Sequence, residues 1–243
     1  MAIPKFFHCF NHLEEGDMVK LDDSEARHAS QSRRLSANDA VILLNGKGEK
    51  AYGYFAELDK RIAKVAIEKV ETCSNPKRNV VVASAIPKGD RQKVMLDMLT
   101  QLGISGFIPL KCDFSVTHLS EKLTSKWQKV AIEACKQSEN PFLPIIHSEL
   151  DLEQLIDSEF WQTHCAIRAE KKQNDSYDAN QVAKFLGAKN SLVIIGPEGG
   201  FSNRETILLD SDSSTTFSIG DHILRTETAA IAVVSKLMAE MVE

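Results

Sequence analysis

Apolar and polar positions along the 243-residue chain follow two rhythms, and the change falls near Thr72-Cys73-Ser74-Asn75-Pro76-Lys77. Before it, short runs alternate between apolar and polar residues. Ala40-Val41-Ile42-Leu43-Leu44 follows Asn38-Asp39, and Gly46-Lys47-Gly48 makes a turn into Tyr52-Gly53-Tyr54-Phe55-Ala56-Glu57-Leu58. Asp59-Lys60-Arg61 turns again into Ile62-Ala63-Lys64-Val65-Ala66-Ile67. Period-two alternation at this spacing predicts antiparallel strands of a small barrel. One helical stretch, Ser24 to Leu35, interrupts them.

After residue 77 strands and helices take turns. Val80 to Ala85, Phe107 to Leu110, His164 to Ala169, Leu192 to Ile195 and Thr215 to Ile219 are predicted strands. Lys93 to Leu102 is a predicted helix closed by Gly103 as its C-cap. Glu121 to Gln137 places Leu123, Trp127, Val130, Ala131 and Ala134 on one helical face. Further helices are expected around Asn180–Leu186, Asn203–Leu209 and Glu227–Met241, with Lys171 to Asp178 a polar loop. Such alternation predicts an α/β fold with a parallel sheet covered on both faces. The expected division is residues 1–72 and residues 73–243.

Composition narrows the function classes. Hydrophobic residues make up 43%, enough for a full core. No apolar run reaches the roughly 20 residues of a membrane span, and the first residues lack the body of a signal peptide. A cytoplasmic protein is expected. Cys9, Cys73, Cys112, Cys135 and Cys165 are scattered, with no C-x-x-C pair, and the histidines show no ligand spacing. Reduced, structural cysteines and no metal are expected. The net charge of −5 is spread over both parts of the chain, so nucleic-acid binding would depend on local patches.

Candidate chemistry lies in loops that leave the carboxyl ends of predicted strands, where open parallel sheets bind ligands. These are Ile86 to Arg91, Gly196 to Ser202 and Gly220 to Arg225. Gly196-Pro197-Glu198-Gly199-Gly200 permits backbone to approach a ligand closely. Ser202 and Glu205 have capping-box spacing. Pattern alone leaves open whether this is a binding loop or only a tight strand-to-helix turn. The Ala-rich segment after Thr226 and Thr228 is either a buried C-terminal helix or a face for a second subunit. A Rossmann G-x-G-x-x-G, a P-loop and a G-x-S-x-G elbow are absent.

Two segments carry a resemblance. Ile195-Gly196-Pro197-Glu198-Gly199-Gly200-Phe201-Ser202 and Ile219-Gly220-x-x-Ile223-Leu224-Arg225-Thr226-Glu227-Thr228-Ala229 resemble signatures of the 16S ribosomal RNA uridine-N3 methyltransferases, in the SPOUT class. Lys88-Gly89-Asp90, Pro109-Leu110, Trp127 to Ser138, Leu143-Pro144, Pro4-Lys5-Phe6-Phe7, His28 and Arg34-Leu35 are similar as well, so the likeness spans nearly the whole chain. The resemblance implies an N-terminal PUA-like β-barrel that helps hold RNA. It implies a C-terminal α/β domain whose last segment threads a trefoil knot, dimeric through that domain. The implied cofactor is S-adenosylmethionine, held by Ile195, Gly196, Pro197, Glu198, Gly199, Gly200, Ile219, Gly220, Ile223, Leu224, Thr226 and Thr228. The implied substrate is a uridine of small-subunit ribosomal RNA within the assembled 30S subunit.

Methyl transfer from a sulfonium needs positioning, loss of the N3 proton and stabilisation of charge on the ring. On the resemblance, Arg225 would steady that charge. Glu227 would take the proton or orient Arg225; as a helix-start carboxylate it would also suit the helix dipole, and Glu198 shares the ambiguity. Lys5, His28, Arg33, Arg34, Lys88 and Arg91 are the RNA-contact candidates. The chain departs from the family pattern at Asp97-Met98 and Gln101, at Asp113-Phe114-Ser115 and at Ser138-Glu139-Asn140-Pro141, where basic side chains are missing. RNA affinity or target choice is what these departures bear on. A methyltransferase with another RNA target and a non-catalytic RNA-binding or assembly factor are the alternative readings.

Overall fold

The computed structural model describes residues 3–32, 34–169, 187–211, 214–218 and 221–239. Two compact units emerge. The first joins Met1–Asn75 to Ile132–Leu143, and the second joins Pro76–Ala131 to Pro144–Glu243.

In the first unit, β1 (Lys5–Phe7), β2 (Met18–Lys20), β3 (Ala40–Leu44), β4 (Glu49–Leu58) and β5 (Ala63–Thr72) form one sheet in the order β1-β3-β4-β5-β2. The pairings of β3 with β4, β4 with β5 and β5 with β2 are antiparallel, as the turns predict. β1 departs from that expectation: it runs parallel to β3, with Phe6 opposite Leu43. A three-residue strand carries too little alternation to announce its direction. Inward-facing residues of β4 and β5 alternate, and Phe6, Phe55, Leu43, Val65 and Ile67 form the core. Gly53 is required where β4 bulges, since a Cβ there would lie 2.0 Å from the Ala66 carbonyl oxygen.

The predicted helix at Ser24 becomes α1 (Asp23–Arg27) followed by a π-helical turn, His28–Ser32. Asp22 caps it, its Oδ1 accepting the Ser24 and Glu25 amides at 2.8 and 2.9 Å. Residues 132–143 add to this unit the last turns of a long helix. There Lys136, with a side chain 5% exposed, donates to Glu25 Oε1 and to Glu133 Oε1, each at 2.9 Å. Phe142 packs on Gly48, whose missing Cβ leaves room for its ring.

In the second unit, six strands run parallel in the order β12-β10-β11-β6-β7-β8. They are β6 (Asn79–Ser84), β7 (Gly106–Lys111), β8 (Ile145–Ile146), β10 (Cys165–Ala169), β11 (Asn190–Ile195) and β12 (Thr215–Phe217); β9 (Leu150–Asp151) also pairs with β7. The helices are α2 (Arg91–Gln101), α3 (Glu121–Ser138), α4 (Leu152–Ile156), α5 (Glu159–Thr163), α6 (Asn203–Ser211) and α7 (Thr226–Ala239). Successive strand side chains point to opposite faces, so β6 feeds two cores. Val80 and Val82 pack with Met95, Leu99, Trp127 and Val233, while Val81 and Ala83 pack with Ile108, Ile194, Leu155 and Leu209. That two-sided burial explains why these strands read as unbroken apolar runs.

Gly103 sits at φ +85 after α2, the left-handed cap its position predicts. The apolar face of α7, with Ala230, Val233, Val234 and Leu237, is buried within its own chain. Cys112 and Cys135 are buried, and that burial, joined for Cys112 by nearby Glu205, pushes both thiols up to about 12. They stay protonated at neutral pH. Among the described residues no helix is long and apolar enough to cross a membrane. The helix expected at Asn180–Leu186 and the loop at Lys171–Asp178 lie outside the described residues.

Candidate active site

The two central strands of the parallel sheet set the site's position. β6 and β11 end in register, Ser84 opposite Ile195, and the Ala85 amide donates to the Ile195 carbonyl at 3.0 Å. The segments that follow, Ile86–Asp90 and Gly196–Ser202, therefore leave the sheet side by side at its carboxyl edge. Lys88, Gly89 and Asp90 are exposed. Arg91 Nη1 at the start of α2 lies 3.6 Å from Glu198 Oε1, and both side chains are more than a third open to solvent or nearly so. Such a pair is weak, so Arg91 is free to exchange partners.

The glycine loop is a tight turn. Gly200 N donates to Pro197 O at 2.9 Å, and Gly200 stands at φ +75, where a side chain would be strained. A Cβ on Gly199 would lie 3.1 Å from Phe114 Cβ. Glu198, Gly199 and Gly200 are exposed, while Ile195 and Pro197 are buried and Gly196 is half-buried. The turn therefore presents backbone, rather than side chains, to whatever approaches it.

The predicted capping box forms. Glu205 N donates to Ser202 Oγ at 3.3 Å, and Ser202 N donates to Glu205 Oε2 at 2.8 Å. Glu205 is buried, and its other oxygen, Oε1, accepts the Asp113 amide at 2.9 Å. Asp113 in turn accepts from Ser202 Oγ at 2.6 Å and from Arg204 Nη2 at 3.1 Å. The Ser202 hydrogen bond, then Arg204, hold the Asp113 carboxyl below its usual range. Arg204 also pairs with Glu153. The loop after β7 is thus fastened to the glycine loop. Sequence reading found Glu205 only as a cap and Asp113-Phe114-Ser115 only as a departure from the family pattern, and it missed Arg204. No local pattern marks a bond between residues 92 positions apart.

The third segment enters through α7. Thr226 Oγ1 donates to Gly196 O at 3.2 Å, joining the start of this helix to the glycine loop. Thr226 and Glu227 are buried, and Glu227 Oε2 has no hydrogen-bond partner among the described residues. A buried carboxylate oxygen without a donor is uncommon. Arg225, Ile223 and Thr228 are exposed and Leu224 is half-buried. No ion pair joins Arg225 to Glu227 among the described residues. Ile219 and Gly220 lie outside the described residues.

The RNA-contact candidates are divided between the two units. Lys88 and Arg91 flank the site in the second unit. In the first unit, Lys5 is 13% exposed and pairs with Glu139, His28 sits edge-on to the Phe6 ring at 6.0 Å, and Arg34 is exposed at φ 54. Arg33 lies outside the described residues. No group of three or more His, Cys, Asp or Glu side chains among the described residues has an arrangement able to hold a metal ion.

Known proteins match this arrangement. Residues 74–238 match the RNA methyltransferase domain and residues 21–68 the RNA methyltransferase PUA domain. The chain is 30% identical over 230 residues to the ribosomal RNA small subunit methyltransferase E of Rickettsia conorii, covering 93% of this chain and 91% of the relative. It is 28% identical over 233 residues to the Bacillus subtilis protein of the same name, again covering 93% and 91%. A crystal structure of the Neisseria gonorrhoeae methyltransferase E bound to S-adenosyl methionine superposes with a TM-score of 0.87 at 24% identity, covering 98% of both chains. That likeness establishes the fold: an α/β parallel-sheet domain with a PUA-like domain before it.

Proposed function

The chain belongs to the ribosomal RNA small subunit methyltransferase E family, and from that premise we propose that it transfers the methyl group of S-adenosylmethionine to N3 of a uridine in small-subunit ribosomal RNA. The observation that carries the reading is the convergence of three chain segments on one exposed glycine turn, tied together by the Thr226–Gly196 and Glu205–Asp113 hydrogen bonds.

The residues present fit the cofactor. Gly199 and Gly200 offer uncovered backbone at the carboxyl edge of the sheet. Ile195 to Gly200, with Ile223, Leu224, Thr226 and Thr228, would hold the adenosyl group; Ile219 and Gly220 complete that set. When bound, the sulfonium supplies an electrophilic methyl group. Arg225, next to the start of α7, would stabilise negative charge on a uracil oxygen. Glu227, unpaired with Arg225, takes the role of proton acceptor rather than of an orienting partner. Lys88 and Arg91 meet phosphates at the rim.

A cytoplasmic homodimer acting on the assembled 30S subunit extends this reading, as does a knotted threading of the last segment. The test is transfer of tritium from labelled S-adenosylmethionine into unmodified 30S subunits, followed by nucleoside analysis. Label in 3-methyluridine is expected. Label in another nucleoside moves the enzyme to a different target. Cofactor binding without any transfer turns the reading toward an RNA-binding assembly factor.

A further inference from the structure

Phe114 stands beside Gly199 of the glycine turn, and it is 53% exposed. It follows β7 in a turn closed at both ends: Ser115 N donates to Cys112 O, and Cys112 N to Ser115 Oγ, each at 2.9 Å. Its preceding residue is gripped by Glu205, Ser202 and Arg204. Its Cβ touches the space a side chain on Gly199 would need. So much fixed polar structure holds an aromatic ring out toward water, at the edge of the sheet where ligands bind. The chain's own folding gains little from that exposure.

We propose that Phe114 is a stacking platform for a nucleobase of the RNA substrate, and that Glu205 is the positioning residue that holds it beside the glycine turn. This rests on the proposed methyl transfer to RNA. The chemistry favours a base over a phosphate. The ring carries no charge to meet an anion, whereas every base offers a π-face. It favours RNA over the cofactor because more than half of the residue stays open after the loops have closed around it, which is the access a polymer requires.

The experiment compares wild type with Phe114→Ala, Phe114→Leu and Phe114→Trp. It measures KM for unmodified 30S subunits and, by calorimetry, the affinity for S-adenosylmethionine. Phe114→Ala is expected to raise KM for the subunits on the order of 10- to 100-fold, from the range for a single stacked base. The factor should be the same at low and high salt, because no counterion is released. Trp should preserve KM, Leu should behave like Ala, and cofactor affinity should stay unchanged.

Glu205→Gln should raise KM by a comparable factor in the wild-type background and add nothing in the Phe114→Ala background. An unchanged KM in Phe114→Ala, full rescue by Leu, or a loss confined to cofactor affinity overturns the proposal. Wild type that transfers no methyl to the subunits sinks the functional reading itself, and this inference with it. An active wild type beside an unaffected Phe114→Ala sinks this inference alone.

Discussion

Lys5 and Lys136 in the first unit each meet carboxylates of their own chain, whereas in the second unit Glu227 keeps a buried oxygen without a donor and Lys88 stands in solvent. The two regions use charge differently. In the first, ion pairs hold residues 132–143 against the sheet: Glu25 and Glu133 take Lys136, and Glu139 takes Lys5. In the second, Glu205 hydrogen bonds and the Arg204 pairs with Asp113 and Glu153 fasten the loops, while Glu227 Oε2 and Lys88 remain open. The lesson is that basic residues alone do not mark an RNA surface in an acidic chain. Lys88 near the glycine turn is exposed and Arg91 is held only weakly, whereas Lys5 is already engaged.

Four substitutions break or sharpen this contrast. Glu227→Gln keeps shape but removes the open carboxylate. It is expected to cut kcat by about 10²- to 10⁴-fold with cofactor affinity nearly unchanged, measured by single-turnover labelling and calorimetry. Lys136→Ala strands Glu25 in a closed setting. It is expected to lower stability by about 3–5 kcal/mol in urea unfolding, while the rate per folded molecule at low temperature is retained.

Gly199→Val drives two methyl groups toward Phe114. An overpacking cost of about 1–3 kcal/mol should appear as a roughly 10- to 100-fold weaker cofactor affinity, with the circular dichroism spectrum intact. Glu139→Gly is the smallest. Glu139 stands at φ 61, where glycine is natural, but it also pairs with Lys5. The relieved backbone outweighs an exposed ion pair by about 0.5–1 kcal/mol, so the unfolding midpoint should rise slightly. Released Lys5 should make RNA binding more salt-sensitive. An unaltered salt slope would show that Lys5 lies away from the RNA.

Sequence reading was strongest where one element explains itself. β3, β6 and β11 are apolar runs bounded by turn residues, α2 ends at a glycine, and Ser202 with Glu205 spells out its own cap. It was weakest where meaning comes from distant partners. β1 pairs parallel to β3 because the β2–α1 segment between them permits it, and three residues cannot declare that. Lys136 lies in a pattern that reads as an ordinary amphipathic helix, and its burial depends on Glu25, 111 positions earlier. Glu205 was visible as a cap, but its second acceptor role needs Asp113. The site's signature segments were legible because glycines and a proline mark backbone geometry. Which side chains stand around them was set by the sheet.

The placement of Ile132–Leu143 with the first unit has a consequence for the protein's birth on the ribosome. The amino-terminal unit is not finished when Asn75 emerges. Its missing piece, with Lys136 and Phe142, follows roughly 70 residues later, a wait of about 3–14 s at ordinary translation speeds. During that interval the nascent sheet has no helix end against Glu25 and no ring over Gly48. A fragment cut at Asn75 inherits the same gap permanently, so the amino-terminal unit will be obtained intact only from a chain that continues past Leu143.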